Sequence, residues 1–295
     1  MLFDIQAVTK RFGKTLAVNQ VTCTLPEGEI SGFLGPNGAG KTTLIRMIMD
    51  IFRPDEGRIQ AGSNLSGHRK DHIGYLPEER GLYTKTKVRE TLIYFGELKG
   101  LSAKRAADHA DYFLDKLEMK VYAKMAIGKL SKGNQQKIQL ISALIAKPRL
   151  LILDEPFSGL DPLNTQLVSD LILQLRDEGT SIVLSTHQMN QAESFCQNIY
   201  LFNRGELILS GPLNPIIDRH SGGQVLVETD QALPENQRFA VHLREGTISR
   251  IRLNEDVSLQ NLMAWLAEQP FKTMSLRPYR MPLSEIFIKE VRAHA

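Results

Sequence analysis

One stretch, Gly35-Pro36-Asn37-Gly38-Ala39-Gly40-Lys41-Thr42-Thr43, constrains this chain more than any other. It fits G-x-x-x-x-G-K-[ST], a loop that wraps phosphate oxygens. Upstream, Glu29 to Leu34 reads as a short, largely apolar strand. Downstream, Leu44-Ile45, Met47-Ile48 and Ile51-Phe52 recur at helical spacing. Strand, glycine loop and helix in that order make a phosphate cradle. Glycines let backbone N–H groups curl around oxygens, and the helix N-terminus adds positive potential at the same point. In such a loop the lysine, here Lys41, reaches the β- and γ-phosphates, and the Thr42 hydroxyl can ligate Mg²⁺.

The bulk properties narrow the setting. A length of 295 residues suits one large or two ordinary domains, and an apolar fraction of 42% supports a sizeable core. The net charge of +3 gives no case for nucleic acid or an anionic membrane surface. Asp4 and Lys10 interrupt any apolar start, so no signal peptide is expected. The longest apolar run, Ile138 to Ala146, carries Gln139 and Ser142 and stops at Pro148, well short of the roughly 20 residues of a membrane span. Cys23 and Cys196 offer neither a disulfide framework nor metal spacing and are expected to be buried thiols, reduced in the cytosol.

In chain order, Leu2 to Thr24 alternates as strands do, around Lys10-Arg11-Phe12-Gly13-Lys14. Pro26-Glu27-Gly28-Glu29 is a turn into the central strand, and Arg53 to Gly57 is another. Arg58 to Ala61 and His72 to Leu76 read as short strands, followed by the polar loop Pro77-Glu78-Glu79-Arg80-Gly81. From about residue 86 to 146 the pattern is helical. Val88, Leu92, Phe95 and Leu98 mark one face; Ser102 caps a second helix; Ser131 caps a third, which ends before Pro148.

Leu150-Leu151-Ile152-Leu153-Asp154-Glu155 describes a buried parallel strand with two acids at its C-terminal tip. Ligands bind at that edge of an α/β sheet, where one acid can hold Mg²⁺ and the next can take a proton from an attacking water. Ser158 to Pro162 reads as a loop, Thr165 to Leu175 as an amphipathic helix, and Ser181 to Ser185 as another apolar strand with Thr186-His187 at its tip. Ile199 to Phe202 and Glu206 to Ser210 read as a hairpin around Asn203-Arg204-Gly205. Ser221-Gly222-Gly223 reads as a linker. After it, strands over 224–228, 239–243, 248–253 and 271–276 and helices over 259–266 and 283–291 describe a small α/β accessory domain, residues 221–295.

This ordered set resembles the ATPase subunit of ABC transporters, over residues 2 to about 215. Phe12 falls where that family has an adenine-stacking aromatic, and Gly35 to Thr43 matches its phosphate loop. Leu130-Ser131-Lys132-Gly133-Asn134 matches the signature LSGGQ in Leu, Ser and the second Gly. Asp154-Glu155 matches the Mg²⁺ acid and the catalytic Glu, Ser158 to Asp161 the loop that crosses the dimer, and His187 the switch His. Glu78 stands where the family has a Mg²⁺-contacting Gln, and Lys132 and Asn134 also depart from the pattern. Lys132 with this tail looks like the ABC-2 type export and sodium-efflux ATPases.

The resemblance implies a P-loop NTPase (RecA-like) core with an antiparallel β subdomain and a helical insertion, residues 1–220. It implies ATP and Mg²⁺, and two chains sandwiching two ATP molecules as a homodimer or pseudo-dimer, with Ser131 and Gly133 touching the γ-phosphate in trans. Across that dimer Lys132 would face the Glu78 charge. The partner would be a separate integral-membrane permease, this chain sitting on the cytoplasmic face of the membrane, with no nucleic acid expected. The rival within the same family is a soluble ABC-type ATPase acting on ribosomes or DNA; one module and no sustained heptads speak against it. No Asn-Lys-x-Asp segment supports a GTPase.

Overall fold

The computed structural model describes residues 1–65, 69–79, 81–254 and 256–294, Arg69 by its backbone alone. Arg80 of the polar loop and the terminal Ala295 therefore lie outside the described residues. The chain divides into two compact units, Met1–Gly211 and Pro212–Ala293.

The first unit opens with β1 (Phe3–Phe12) and β2 (Thr15–Leu25), then β3 (Ile30–Leu34), α1 (Lys41–Ile48), β4 (Glu56–Ala61) and β5 (Ile73–Leu76). Strands β2, β1 and β4 form an antiparallel sheet in that order. The helical insertion follows: α2 (Val88–Leu98), α3 (Ala103–Lys116) and α4 (Lys132–Leu144). Gly100, at φ +82°, lies just past the end of α2, and the Ser102 hydroxyl accepts from the Arg105 N–H to open α3. The unit closes with β6 (Leu150–Asp154), α5 (Pro162–Asp177), β7 (Ser181–Thr186), α6 (Met189–Phe195), β8 (Asn198–Asn203) and β9 (Glu206–Pro212).

The central sheet runs β5-β6-β7-β3-β8-β9, parallel from β5 through β8, with β9 added by a hairpin at Arg204-Gly205. Its middle strands are apolar on both faces because both are covered: every residue of β3, β6 and β7 is buried. Phe33 anchors the base of the phosphate loop, with ring centroids 5.2 Å from Phe202 and 5.5 Å from Tyr200. Such pairs contribute about 0.5–1.5 kcal/mol beyond area burial. Burial pushes the thiols of Cys23 and Cys196 up to about 12. Among the described residues no helix is long and apolar enough to cross a membrane.

The second unit starts with α7 (Leu213–Ser221), then β10 (Gln224–Thr229), β11 (Phe239–Glu245), β12 (Ile248–Leu253), α8 (Leu259–Ala267), β13 (Thr273–Pro278) and α9 (Leu283–Ala293). Its antiparallel sheet runs β11-β12-β10-β13, over a core that includes Val225, Val227, Phe239, Ile251, Leu262 and Leu266.

Three details differ from the sequence expectations. The division falls at Gly211/Pro212, and Ser221-Gly222-Gly223 is no free linker: Ser221 closes α7 and Gly222 is its left-handed C-cap at φ 59°. Helix α5 begins at Pro162, because Asp161 caps it and Pro162 fills the first position, where no N–H is needed. The last strand is Thr273–Pro278, displaced toward the C-terminus from 271–276, since Phe271 is committed to the core under α8.

Candidate active site

The site follows from strand register. Leu34 pairs with Thr186, and Asp154 with Ser185, so β3, β7 and β6 end side by side. Three loops therefore leave one sheet edge together, carrying Gly35, Glu155 and His187. Strand β5 pairs with β6, Leu76 opposite Leu153, which brings Glu78 to the same edge. A cleft of about 410 Å³ opens there, lined by Thr15 to Ala17 of β2, Asn37 to Thr43, Glu78, Asp154 and Glu155. That is enough for a nucleotide's phosphates and sugar.

Two loop positions demand glycine. A Cβ at Gly35 (φ 145°) would sit 2.2 Å from the Phe202 carbonyl oxygen, and one at Gly40 (φ 99°) would sit 2.4 Å from that of Ala17. Pro36, Asn37 and Gly38 form the exposed rim, and Ala39 is buried with its N–H on the Pro36 carbonyl at 3.2 Å. Gly40 is also the N-cap of α1, so the helix starts at Lys41 with its amides turned toward the cleft.

Lys41 is buried, and its Nζ donates to the carbonyls of Gly35 at 2.7 Å and Pro36 at 3.1 Å. Burial lowers its pKa; Glu155, Asp154 and Glu78 pull the other way. The Thr42 hydroxyl donates to Asp154 Oδ2 at 3.1 Å, Thr43 lines the cleft beside it, and Asp154 is itself buried. Thr42, Asp154 and Glu78 thus supply oxygen ligands to one cleft, the donor chemistry that suits Mg²⁺.

Glu155 sits at φ 50°, a left-handed conformation that costs a non-glycine residue about 1–2 kcal/mol. Three donors hold it: His187 N–H at 2.9 Å and His187 Nδ1 at 2.6 Å on Oε1, and the Thr186 hydroxyl at 3.2 Å on Oε2. The His187 ring is thus engaged with Glu155, and its side chain is 53% exposed.

Other expected residues do not join this cleft. Phe12, at the end of β1, is 45% exposed, packs edge-on to Phe52 at 5.6 Å and does not line the cleft. Ser131 caps α4, its hydroxyl accepting from Asn134 N–H at 3.3 Å, and is exposed, as is Lys132. A Cβ at Gly133 would lie 3.1 Å from the Gly159 carbonyl oxygen, so the signature glycine abuts the Ser158–Asp161 loop of its own chain. Asp161 is exposed and accepts from Asn164 N at 2.9 Å and Nδ2 at 2.7 Å; these bonds hold its carboxyl below the usual carboxylate range.

The buried polar side chains of α4 were not expected from the sequence. Gln136 donates to the Pro156 carbonyl at 3.2 Å. Lys137 donates to Leu117 O at 3.1 Å and to Asn164 Oδ1 at 2.8 Å, and Asn164 in turn holds Asp161. Gln139 donates to the carbonyls of Pro77 and Glu79. The available signal was Gln136, Lys137 and Gln139 crowded around Ile138, in a helix expected to bury only its apolar face.

An ABC transporter family profile matches residues 18–158. The chain is 39% identical over 300 residues to the uncharacterized ABC transporter ATP-binding protein YhaQ of Bacillus subtilis (strain 168), covering 99% of both chains. It is 32% identical to the Nod factor export ATP-binding protein I of Rhizobium sp. (strain N33), over 93% of this chain and 89% of that one. Among solved structures it is similar to the dimeric post-hydrolysis ATP-binding cassette MJ0796 bound to ADP and Pi. There the TM-score is 0.65 at 25% identity, covering 72% of this chain and 99% of the cassette.

Proposed function

The chain belongs to the ATP-binding subunits of ABC transporters, ATPases that power transport, and from that premise we propose which residues do the work and what this subunit drives. The single observation that carries the assignment is the convergence of Lys41, Thr42, Asp154 and Glu155 on one cleft, with His187 bonded to Glu155.

Lys41 exchanges its two carbonyl acceptors for phosphate oxygens, which answer its buried charge better. The loop amides and the α1 N-terminus surround the β- and γ-phosphates. Thr42, Asp154 and Glu78 are the groups that would hold Mg²⁺, which neutralises phosphate charge when bound. Glu155 takes the proton of the water that attacks the γ-phosphorus; the bond to the β–γ bridging oxygen breaks, leaving ADP and phosphate. His187 fixes the Glu155 carboxylate and turns toward the released phosphate.

Ser131 and Gly133 serve the nucleotide of a second copy, and Phe12 stacks on adenine. The exposure of Ser131 and Lys132 supports the role across two copies, as does the dimeric cassette to which the fold is similar. The subunit rides on the cytoplasmic face of the membrane and drives a separate permease. The Nod factor export relative supports an exporter. Measuring phosphate release from ATP with Mg²⁺ tests the core claim. Glu155→Gln should bind ATP and turn over at least ~10²-fold more slowly; unchanged turnover would remove Glu155 from the base role.

A further inference from the structure

Helix α4 lies along β5, running the opposite way. A Cβ at Gly74 would sit 2.2 Å from the Ala143 carbonyl, so helix and strand touch there backbone to backbone. One helical turn nearer the signature, Gln139 reaches the point where the chain leaves β5. Its Nε2 donates to the carbonyls of Pro77 at 3.3 Å and Glu79 at 3.0 Å. These are the two residues on either side of Glu78, so one amide group grips the backbone on both flanks of that acid.

Gln139 is only 4% exposed, and its Oε1 is buried with no hydrogen-bond partner among the described residues. An unsatisfied buried carbonyl is costly and uncommon. A leucine or methionine would fill this place without that cost, so the amide is there for what its nitrogen holds. Glu78 itself is exposed on a short loop, and its direction depends on the backbone that carries it. Carbonyls two residues apart, drawn to one donor, fix the turn between them and with it the Cα–Cβ vector of Glu78.

We propose that Gln139 is a positioning residue that aims the Glu78 carboxylate into the nucleotide cleft. The inference rests on the reading of Glu78 as a group facing Mg²⁺ and the γ-phosphate. Helix α4 then acts at two places: it opens at Ser131 and, at mid-length through Gln139, grips the loop bearing an acid of its own chain's cleft.

The test uses the full chain and a fluorescent ATP analogue, with Mg²⁺ titrated at fixed nucleotide. Gln139→Met keeps the length and removes the donors. It should raise the half-saturating Mg²⁺ about 10-fold, the range seen when a group orienting a metal ligand is lost, without lowering the melting temperature. Gln139→Asn, one carbon too short to reach both carbonyls, should shift it the same way and serves if the methionine variant fails to fold. In a Glu78→Gln background, Gln139→Met should add nothing. A shift by Glu78→Gln with none by Gln139→Met overturns the positioning role and leaves Glu78 in place. A shift by Gln139→Met that persists undiminished in the Glu78→Gln background shows that Gln139 acts elsewhere and also overturns it. If Glu78→Gln is silent, the reading of Glu78 falls and the inference falls with it.

Discussion

The phosphate side of the site and the signature side are held in opposite ways. Lys41, Asp154 and Glu155 are buried, and each makes a hydrogen bond inside its own chain. Ser131, Lys132, Asp161 and Phe12 are exposed, and none of them lines the cleft. The first group is fixed by strand register before any nucleotide arrives. The second is presented on capped helix ends and a strand terminus, pointing at surface. One chain therefore folds the phosphate side of the cleft in full, while Ser131, Lys132 and Asp161 stand exposed away from it.

Lys41→Ala should break the buried side outright. Removing one partner of a buried, hydrogen-bonded charge pair costs about 2–5 kcal/mol, so ATP affinity should fall ~10²-fold or more by calorimetry. Equal affinity would mean the cradle does not depend on Lys41. Ser131→Ala should act on the displayed side alone. Nucleotide binding by the single chain should persist, while ATP-dependent association of two chains weakens ~10-fold or more, the worth of a hydrogen bond to a charged oxygen. Loss of single-chain binding instead would show that Ser131 serves its own cleft.

Phe12→Ala should act on the base end of the nucleotide alone. Losing a base-stacking aromatic costs about 1–3 kcal/mol. ATP should bind ~10-fold more weakly and inorganic triphosphate unchanged; equal losses for both would deny a role in reading the base. The smallest effect is expected from ending the chain after Gly211, where the compact units divide. ATP affinity should stay within about twofold, as two self-contained cores predict. A truncated chain unable to bind nucleotide would make the tail part of the cassette.

What could be read in the sequence was what interrupts a pattern. Acids ending an apolar strand at Asp154-Glu155 and glycines between strand and helix at Gly35–Gly40 announce themselves locally. Helix α7 was hidden because Pro215 stands near its start and reads as a breaker; in the first turn it displaces no hydrogen bond. The start of α5 was available in Asp161-Pro162, a capping pair that the loop reading passed over. The grip of Gln139 on the Glu78 loop could not be read, since it joins residues 60 and 62 positions apart in the chain. Phe12 shows the reverse: its position in the sequence fits an adenine platform, yet its ring lies against Phe52, outside the cleft lining.

The exposed Ser131 and Lys132 of one chain are expected to complete the cleft of a second copy. Light scattering of the Glu155→Gln chain in ATP and Mg²⁺ tests it most directly, because slow hydrolysis holds the closed state long enough to weigh. Twice the mass of one chain is expected with ATP and a single-chain mass with ADP. A single-chain mass in saturating ATP, with nucleotide demonstrably bound, would contradict it.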